Sequence, residues 1–251
     1  MIESLQESLE RTGSASLPGF LLPDALEARA AEAQSLAHLA YIGPTRVSPY
    51  FFNYDIAGSD VPDHHPTRFM GTRNVSQVAY DLIPRDSLLC RLYHSDVVTN
   101  LVARVHNKDR LYRFADRYQS LNISVMREGG HQQWHLDQGR LVTTLLMQAA
   151  EKGGVFEYVP DIRSDEDEHF DEVARVLAGD HSKVRQFDLI PGSLNLSLGH
   201  YSMHRVTSIE GCRNRLQTIF ALADEPDTQG SLKSSILHYG PRIAALEKAQ
   251  A

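Results

Sequence analysis

The sequence predicts a mainly β fold with supporting helices, arranged as an antiparallel sandwich or a closed barrel. Short β-rich runs alternate with turn residues after position 110, a spacing that is typical of both arrangements. The residues before that position lack this pattern and are predicted to be mainly helical or irregular. The β-rich runs are 118–126, 141–148, 154–159, 184–189, 193–198, 204–208 and 215–222.

The chain of 251 residues is long enough for one structural domain with a full hydrophobic core. We expect a helical and loop part over 1–110, a β-rich core over 111–225, and a tail with one short helix over 226–251. The first part should pack on the core. Its predicted helices, read from apolar spacing and capping residues, span 24–39, 86–92 and 95–106.

Two segments interrupt these elements. Residues 43–73 contain four prolines, which predicts a long loop region, and long loops in compact domains are often functional lids. Residues 161–179 begin with an acidic half, predicted to be a solvated loop, and end in one amphipathic helix. A Ca²⁺ site in the acidic half is the alternative, although the EF-hand spacing is absent.

Composition and charge exclude several classes of protein. The formal net charge is −7 and no basic stripe is present, so we expect no nucleic-acid partner. No apolar run approaches the roughly 18–20 residues of a membrane span. The N-terminal segment carries three Glu residues and no apolar core, so a cytoplasmic location is expected. Cys90 and Cys212 are predicted to be reduced thiols, and a homodimer is possible.

His135 and Asp137 form a His-x-Asp pair, and His204 follows 67 residues after Asp137. Side chains at i and i+2 of a strand point to the same face, so the pair can reach one ion at about 2 Å. Two imidazoles and one carboxylate hold Fe(II) on one face and leave the other open. We therefore predict these three residues as metal ligands and catalytic residues, with His200 as the alternative to His204. Trp134 should pack in the core, on the other side of the strand.

The His-x-Asp pair, the distal His and Arg215, eleven residues further on, resemble the Fe(II)/2-oxoglutarate-dependent dioxygenases. The resemblance covers about 111–225 and implies a double-stranded β-helix, a jelly-roll or cupin-like core with supporting helices. It also implies Fe(II) and 2-oxoglutarate as cofactors, ascorbate as a reductant of the iron, and O₂ and a small molecule as partners. The segments GGVFEYVPDIR, PGSL and YSMHRVTSIEG are similar to a bacterial subfamily of free-amino-acid halogenases and hydroxylases.

Within that subfamily, halogenases carry Gly or Ala at the position of Asp137, and loss of the carboxylate lets chloride bind the iron. Asp137 therefore implies a hydroxylase, acting on an unactivated C–H bond of an amino acid or derivative and releasing succinate and CO₂. Lysine-acting members carry polar residues around the metal motif and a further acid after it. This chain has Gln132 and Gln138 instead, which argues against free lysine.

Arg215 is predicted to bind the C5 carboxylate of 2-oxoglutarate, because a guanidinium pairs with a carboxylate through two hydrogen bonds. Gln217 shares its strand face, and Arg213 on the same alternation is the alternative clamp. The other predicted co-substrate contacts are Asn122, Ser124 and Thr143.

The predicted substrate contacts are Arg68 and Arg73 for a carboxylate, Asp116 for an amine, and Gln132 and Gln138 beside the metal motif. Two other classes of function remain open. One is a non-catalytic jelly-roll binding or sensor protein with a vestigial metal site. The other is a Zn²⁺-dependent hydrolase with the same three ligands.

Overall fold

Two antiparallel sheets dominate the computed structural model, which describes residues 1–51, 54–58 and 60–249. The first strands are β1 Ser14–Leu17, β2 Tyr41–Ile42, β3 Arg46–Val47, β4 Gly71–Asn74, β5 Ser76–Val78 and β6 Tyr112–Arg113. The central ones are β7 Leu121–Met126, β8 His131–His135, β9 Val142–Gln148, β10 Lys152–Gly153, β11 Phe156–Val159 and β12 Arg185–Phe187. The last are β13 Leu194–Ser197, β14 Met203–Val206, β15 Ile209–Glu210, β16 Arg215–Phe220 and β17 Leu222–Ala223.

The larger sheet has seven strands in the order β1-β13-β9-β16-β7-β5-β2, and the smaller has six in the order β12-β11-β14-β8-β4-β3. The pairs β10-β15 and β17-β6 stand apart from both. Strands that are far apart in sequence are neighbours in both sheets, which is how a jelly roll is connected. The predicted fold class is confirmed, as a jelly-roll core rather than a closed barrel.

Helices surround the two sheets. Their bounds are α1 Ile2–Thr12, α2 Pro23–Leu36, α3 Leu88–Tyr93, α4 Asp96–Val105, α5 Phe170–Leu177, α6 Leu232–Tyr239 and α7 Arg242–Lys248. Short 3₁₀ helices lie at Ala37–Leu39, Tyr54–Ala57, Pro66–Arg68 and Tyr80–Leu82. α1 packs on β1, and α2 packs on β9 and β16, so these helices cover the outer face of the larger sheet.

The larger sheet separates apolar from polar side chains by simple alternation. In β7, Leu121, Ile123 and Val125 join the main hydrophobic core beneath the helices, whereas Asn122 and Ser124 point to the inner side. β16 repeats the pattern except that Thr218 lies outward and Ile219 inward, and the register pairs the inward residues of the two strands with one another. The sheet therefore presents an apolar outer face and a polar inner face.

The outer face of the smaller sheet is covered by a second apolar cluster. Trp134 and Met203 pack there with Val173 of α5, and the Trp134 ring also lies 4.7 Å from the Arg205 guanidinium carbon. The position of Trp134 in the core, on the side of β8 away from the metal motif, agrees with the prediction.

The predicted helices are present with shifted ends, but the N-terminal part also contains strands that the sequence pattern did not reveal. β1, β2 and β5 join the larger sheet, and β3 and β4 join the smaller one. These strands are two to four residues long, too short for alternation to be visible, and their partners are remote in sequence. The segment 43–73 contains β3 and all but the last residue of β4, and its positions 52, 53 and 59 lie outside the described residues.

The tail differs from the prediction as well, because it forms two helices instead of one. Gly240, with a φ of 95°, ends α6 and Pro241 begins the next turn, so the chain changes direction between them.

Two smaller expectations can be compared with the structure. Cys90 is buried, Cys212 is exposed, and both are free thiols as predicted. Within the described residues, no helix combines the length and the apolar character that crossing a membrane requires.

Candidate metal centre

Three side chains that are remote in sequence meet at the inner face of the smaller sheet. His135 ends β8, Asp137 follows two residues later, and His204 lies on β14 directly opposite His135 in the strand register. One ligand atom from each lies within 4.8 Å of those of the other two. The Nε2 of His204 is 3.3 Å from Asp137 Oδ2, and the Nε2 of His135 is 3.9 Å from Asp137 Oδ1.

Both imidazoles are oriented by backbone carbonyls. His135 Nδ1 donates to the carbonyl oxygen of Gln133 at 2.8 Å, and His204 Nδ1 donates to that of Ser202 at 2.9 Å. Because a carbonyl can only accept, the proton of each neutral ring resides on Nδ1 and the Nε2 lone pair faces the other ligands. This is the arrangement in which histidine binds a metal ion.

Backbone hydrogen bonds fix the position of Asp137, and the missing side chain of Gly199 leaves space for its carboxylate. Its N–H donates to the Gly199 carbonyl oxygen at 3.0 Å, and its own carbonyl accepts from Arg163 Nη2 at 3.4 Å. A Cβ on Gly199 would lie 2.1 Å from Asp137 Oδ2, so only glycine leaves room for the carboxylate. Arg163 is buried and also pairs with Glu168 at 3.0 Å, which fixes the guanidinium in place.

The donor set fits Fe(II), since two neutral imidazoles and one carboxylate on one side leave the remaining positions open. Among the described residues, His135, Asp137 and His204 form the only group of three or more such side chains that could hold a metal ion. His200, the alternative distal ligand, is outside that group, and its Nδ1 lies 3.2 Å from the Asp137 carbonyl oxygen. The acidic segment 161–179 likewise contributes no such group.

A cavity of about 300 Å³ extends from the three ligands into the space between the two sheets. Arg215 lines it from β16, is only 2% exposed, and its Nη2 atom has no hydrogen-bond partner. Arg213, the alternative clamp, is exposed and donates to the Ala150 carbonyl oxygen outside the cavity. A buried guanidinium without a partner is costly, so the geometry provides a place for an anion beside Arg215.

Most of the predicted co-substrate contacts share this wall. Asn122, Ser124 and Gln217 line the cavity, and Asn122 Oδ1 is buried without a partner. Thr143 was the wrong choice, because alternation along β9 turns it to the outer face, where it pairs in register with Leu196 and Phe220 of the main core. Its neighbour Thr144 lines the cavity instead.

The predicted substrate contacts divide into two groups. Arg73, Gln132 and Gln138 line the cavity, and Arg73 is 3% exposed with Nε and Nη1 lacking partners. Arg68 and Asp116 are absent from the lining. Arg68 lies 3.4 Å from Asp63, and the carboxylate of Asp116 accepts hydrogen bonds from the backbone N–H groups of Tyr118, Gln119 and the remote Gly230.

Burial shifts the protonation equilibria around the cavity. It lowers the pKa of Arg215 and of Arg73 to about 10, and both remain charged at neutral pH. Burial, aided by the charge of Arg73, lowers the pKa of His238 to about 3. Burial and the neighbouring His204 place the pKa of His135 well below its usual value. His135 and His238 are therefore neutral at physiological pH.

Solved structures with the same architecture are similar to this chain at low sequence identity. A Pseudomonas putida prolyl-4-hydroxylase gives a TM-score of 0.55 at 13% identity, covering 90% of this chain and 100% of that one. HygX from Streptomyces hygroscopicus, solved with nickel, 2-oxoglutarate and hygromycin B, gives 0.58 at 15%, covering 90% and 88%. The epimerase SnoN, in complex with Fe³⁺, α-ketoglutarate and nogalamycin RO, gives 0.57 at 17%, covering 89% and 83%.

These similarities establish the fold. No curated protein matches the sequence. A family model described as Halogenase D matches residues 64–238, which is more than half of the chain. The chain belongs to the Halogenase D family. The matched range of that family contains the three candidate ligands and Arg215.

Membership of the Halogenase D family, the shared fold and the His-Asp-His group together confirm the predicted superfamily, the Fe(II)- and 2-oxoglutarate-dependent oxygenases. The predicted cofactors, Fe(II) and 2-oxoglutarate, are confirmed with it, and the chain is accordingly a dioxygenase. The family name does not specify the reaction of this member.

Several residues at the site were missed from the sequence. Gly199 and Arg163 support Asp137, while Gln119 and, from α6, Ser234 and His238 line the cavity. The Gly199-His200 pair, shortly before His204 in the sequence, could have indicated this contact, because a glycine often marks a place where another group comes close to the backbone. Nothing in the tail sequence indicated that α6 would reach the cavity, because that depends on packing between distant elements.

Proposed function

We propose that this protein is an oxygenase that hydroxylates an unactivated C–H bond of a small carboxylate metabolite, an amino acid or a derivative of one. One juxtaposition carries the proposal. A complete set of two histidines and one carboxylate faces the same cavity as Arg215, a buried cation without a partner. A metal ion would bind to the two histidines and the carboxylate, and an acidic co-substrate would pair with Arg215.

In this proposal His135, Asp137 and His204 hold Fe(II), and Arg215 binds the C5 carboxylate of 2-oxoglutarate. Asn122, Ser124, Thr144 and Gln217 are polar residues of the same wall, within the cavity that the co-substrate would occupy. A bound iron would supply the activation of O₂, of which one oxygen atom would enter the C–H bond and the other would oxidise 2-oxoglutarate to succinate and CO₂.

The carboxylate of Asp137 favours hydroxylation over halogenation. Halogenases of the subfamily that the sequence resembles lack this side chain, and chloride takes its place on the metal. Here Gly199 and Arg163 keep the carboxylate close to both histidines. The position that chloride would need is therefore filled by the protein.

Arg73 is the proposed contact for the carboxylate of the substrate. It lines the cavity from β4, opposite Gln132 in the strand register, and its charge acts on both His135 and His238. Its position beside the metal site would orient a bound molecule toward the iron while Arg215 holds the co-substrate.

The test is a panel of free amino acids and their derivatives incubated with anaerobically iron-loaded protein, 2-oxoglutarate and then O₂. We expect at least one compound to stimulate succinate formation and to gain one oxygen atom by mass spectrometry. Omitting iron or 2-oxoglutarate should abolish both signals.

Failure of 2-oxoglutarate to bind the Mn(II)-loaded protein by calorimetry would favour the non-catalytic binding or sensor protein. Zinc in the purified protein, measured by elemental analysis after anaerobic purification, together with hydrolytic activity would favour the Zn²⁺ hydrolase.

A further inference from the structure

The cavity contains a second buried cation in addition to the one assigned to the co-substrate. Arg73 and Arg215 both line it, both are at most 3% exposed, and both have guanidinium nitrogens without partners. Because Arg215 alone can hold the C5 carboxylate of 2-oxoglutarate, Arg73 still requires an anion once the co-substrate is bound.

Counting charges supports this requirement. Fe(II) with doubly charged 2-oxoglutarate is neutral overall, and Asp137 balances one of the two arginines. One positive charge is then left uncompensated, and His238 adds none because it is neutral. The loaded cavity is therefore complementary to a ligand with a net charge of minus one.

The cavity also lacks a group that would compensate a positive charge on the ligand. Among the described side chains that line it, Asp137 is the only acid, and it belongs to the metal centre. The other polar groups of the lining include the neutral amides of Gln119, Gln132 and Gln138. Asp116 and Asp81 act electrostatically on Tyr239 of the lining, but neither carboxylate lines the cavity, and that of Asp116 accepts hydrogen bonds from three backbone N–H groups.

Neutral hydrogen-bond acceptors are present instead. The Oε1 atom of Gln77 and the Oδ1 atom of Asn122 are buried in the cavity lining without a partner. An uncharged N–H or O–H group of a ligand could satisfy such an atom. An ammonium group could donate to the same oxygens, but it would lose its hydration and would lie near two positively charged guanidinium groups, which is unfavourable.

We infer that the substrate is a carboxylate with a net charge of minus one that carries no ammonium group, such as an N-acylated amino acid. Arg73 binds its carboxylate, and the neutral amides of the cavity contact its uncharged polar groups. The inference rests on the proposed function and narrows its substrate class, since a free amino acid with an uncharged side chain is a zwitterion of net charge zero and leaves the second arginine charge uncompensated.

The test uses matched sets of ligands that share a side chain. For each standard amino acid with an uncharged side chain, a set contains the free amino acid, its N-acetyl derivative and the corresponding carboxylic acid without the amine. Binding to protein loaded with Mn(II) and 2-oxoglutarate under argon is measured by calorimetry, which does not depend on turnover. In the sets that bind, we expect the two compounds without an ammonium group to bind at least about 10-fold more tightly than the free amino acid.

Two variants make the test specific to Arg73. R73Q should abolish this preference, and R91Q, which removes an exposed arginine on α3, should retain it. Q132E places a carboxylate opposite Arg73 in the strand register and should shift the preference toward free amino acids. Circular dichroism of each variant checks that the fold is intact.

The outcomes separate the two proposals. If 2-oxoglutarate does not bind the Mn(II)-loaded protein, the proposed function fails. If 2-oxoglutarate binds but free amino acids bind as tightly as their N-acetyl derivatives, the inference about the substrate alone is overturned. The same holds if no compound without an ammonium group binds, or if R73Q keeps the preference.

Discussion

The inner faces of the two sheets meet in one cavity but are constructed differently. The larger sheet presents its inward residues by alternation, and β16 stays in unbroken register with β7 from Arg215 to Phe220, although its pairing with β9 shifts between Leu216 and Gln217. The smaller sheet presents the proposed metal ligands at an irregularity, where the register between β14 and β8 shifts and Asp137 lies beyond the end of β8. We call the inner face of the larger sheet the regular face, and it carries the cation of Arg215. The inner face of the smaller sheet is the irregular face, and it carries the metal centre.

This difference indicates how each face depends on its surroundings. Alternation alone decides which way a residue of β7 or β16 points. A substitution there should therefore change the contacts of the replaced side chain and leave the direction of its neighbours unaltered. Asp137 depends instead on a contact with Gly199 and on the buried Arg163. Substitutions around the metal centre should therefore act through neighbours that never touch the ion.

The largest effect is expected from D137A, which removes one of three ligands from the irregular face. Hydroxylation should fall by at least about 100-fold, because even an outer partner of a ligand is worth roughly 10–100-fold. The readouts are substrate-stimulated succinate by mass spectrometry and Mn(II) affinity by calorimetry. D109A, at an exposed acid outside the cavity, is the control, and hydroxylation by D137A at the wild-type rate would refute the ligand assignment.

On the regular face, R215Q should raise the KM for 2-oxoglutarate by about 30-fold or more. Truncating one partner of a buried charge pair costs about 2 kcal/mol or more, and that partner would be the C5 carboxylate. R213Q, two residues earlier and exposed, should leave this KM within about twofold of the wild type. Equal effects of the two substitutions would mean that Arg213 shares the role of clamp.

G199A tests the support of the irregular face without changing a ligand. The added Cβ would displace the Asp137 carboxylate, and Mn(II) affinity should fall by roughly 10–100-fold while the fold is retained. G139A is the matched control, since the nearest atom to its Cβ would be the Leu141 carbonyl oxygen at 3.9 Å. Unchanged metal affinity in G199A would show that Asp137 does not need this contact.

The smallest effect concerns neighbouring threonines on opposite faces of β9. T143V removes a buried hydroxyl that has no partner, so the free energy of unfolding should rise by about 1 kcal/mol with the KM for 2-oxoglutarate unchanged. T144V, on the cavity side, should raise that KM severalfold with little change in stability. Denaturant unfolding and steady-state kinetics measure the two quantities, and a reversed pattern would contradict the assignment of faces.

Much of the regular architecture was predictable because its information is local. The first five residues of β7 alternate apolar and polar side chains, and the i and i+2 spacing of His135 and Asp137 is enough to indicate a shared direction. The spacing to His204 and Arg215 then supported the superfamily. The two-residue strands of the N-terminal part left no comparable pattern, because pairing with distant strands stabilises them.

The sequence by itself determined the ligand types, the alternation that exposes Arg215 to the interior, and the family of the chain. Only the tertiary structure decided that Thr143 turns away from the cavity, that Gly199 makes room for Asp137, and that α6 brings His238 into the lining of the pocket. The physical reason is that side-chain direction along a strand depends on neighbours in sequence. The charge balance and the free space of a cavity depend on which remote residues packing brings together.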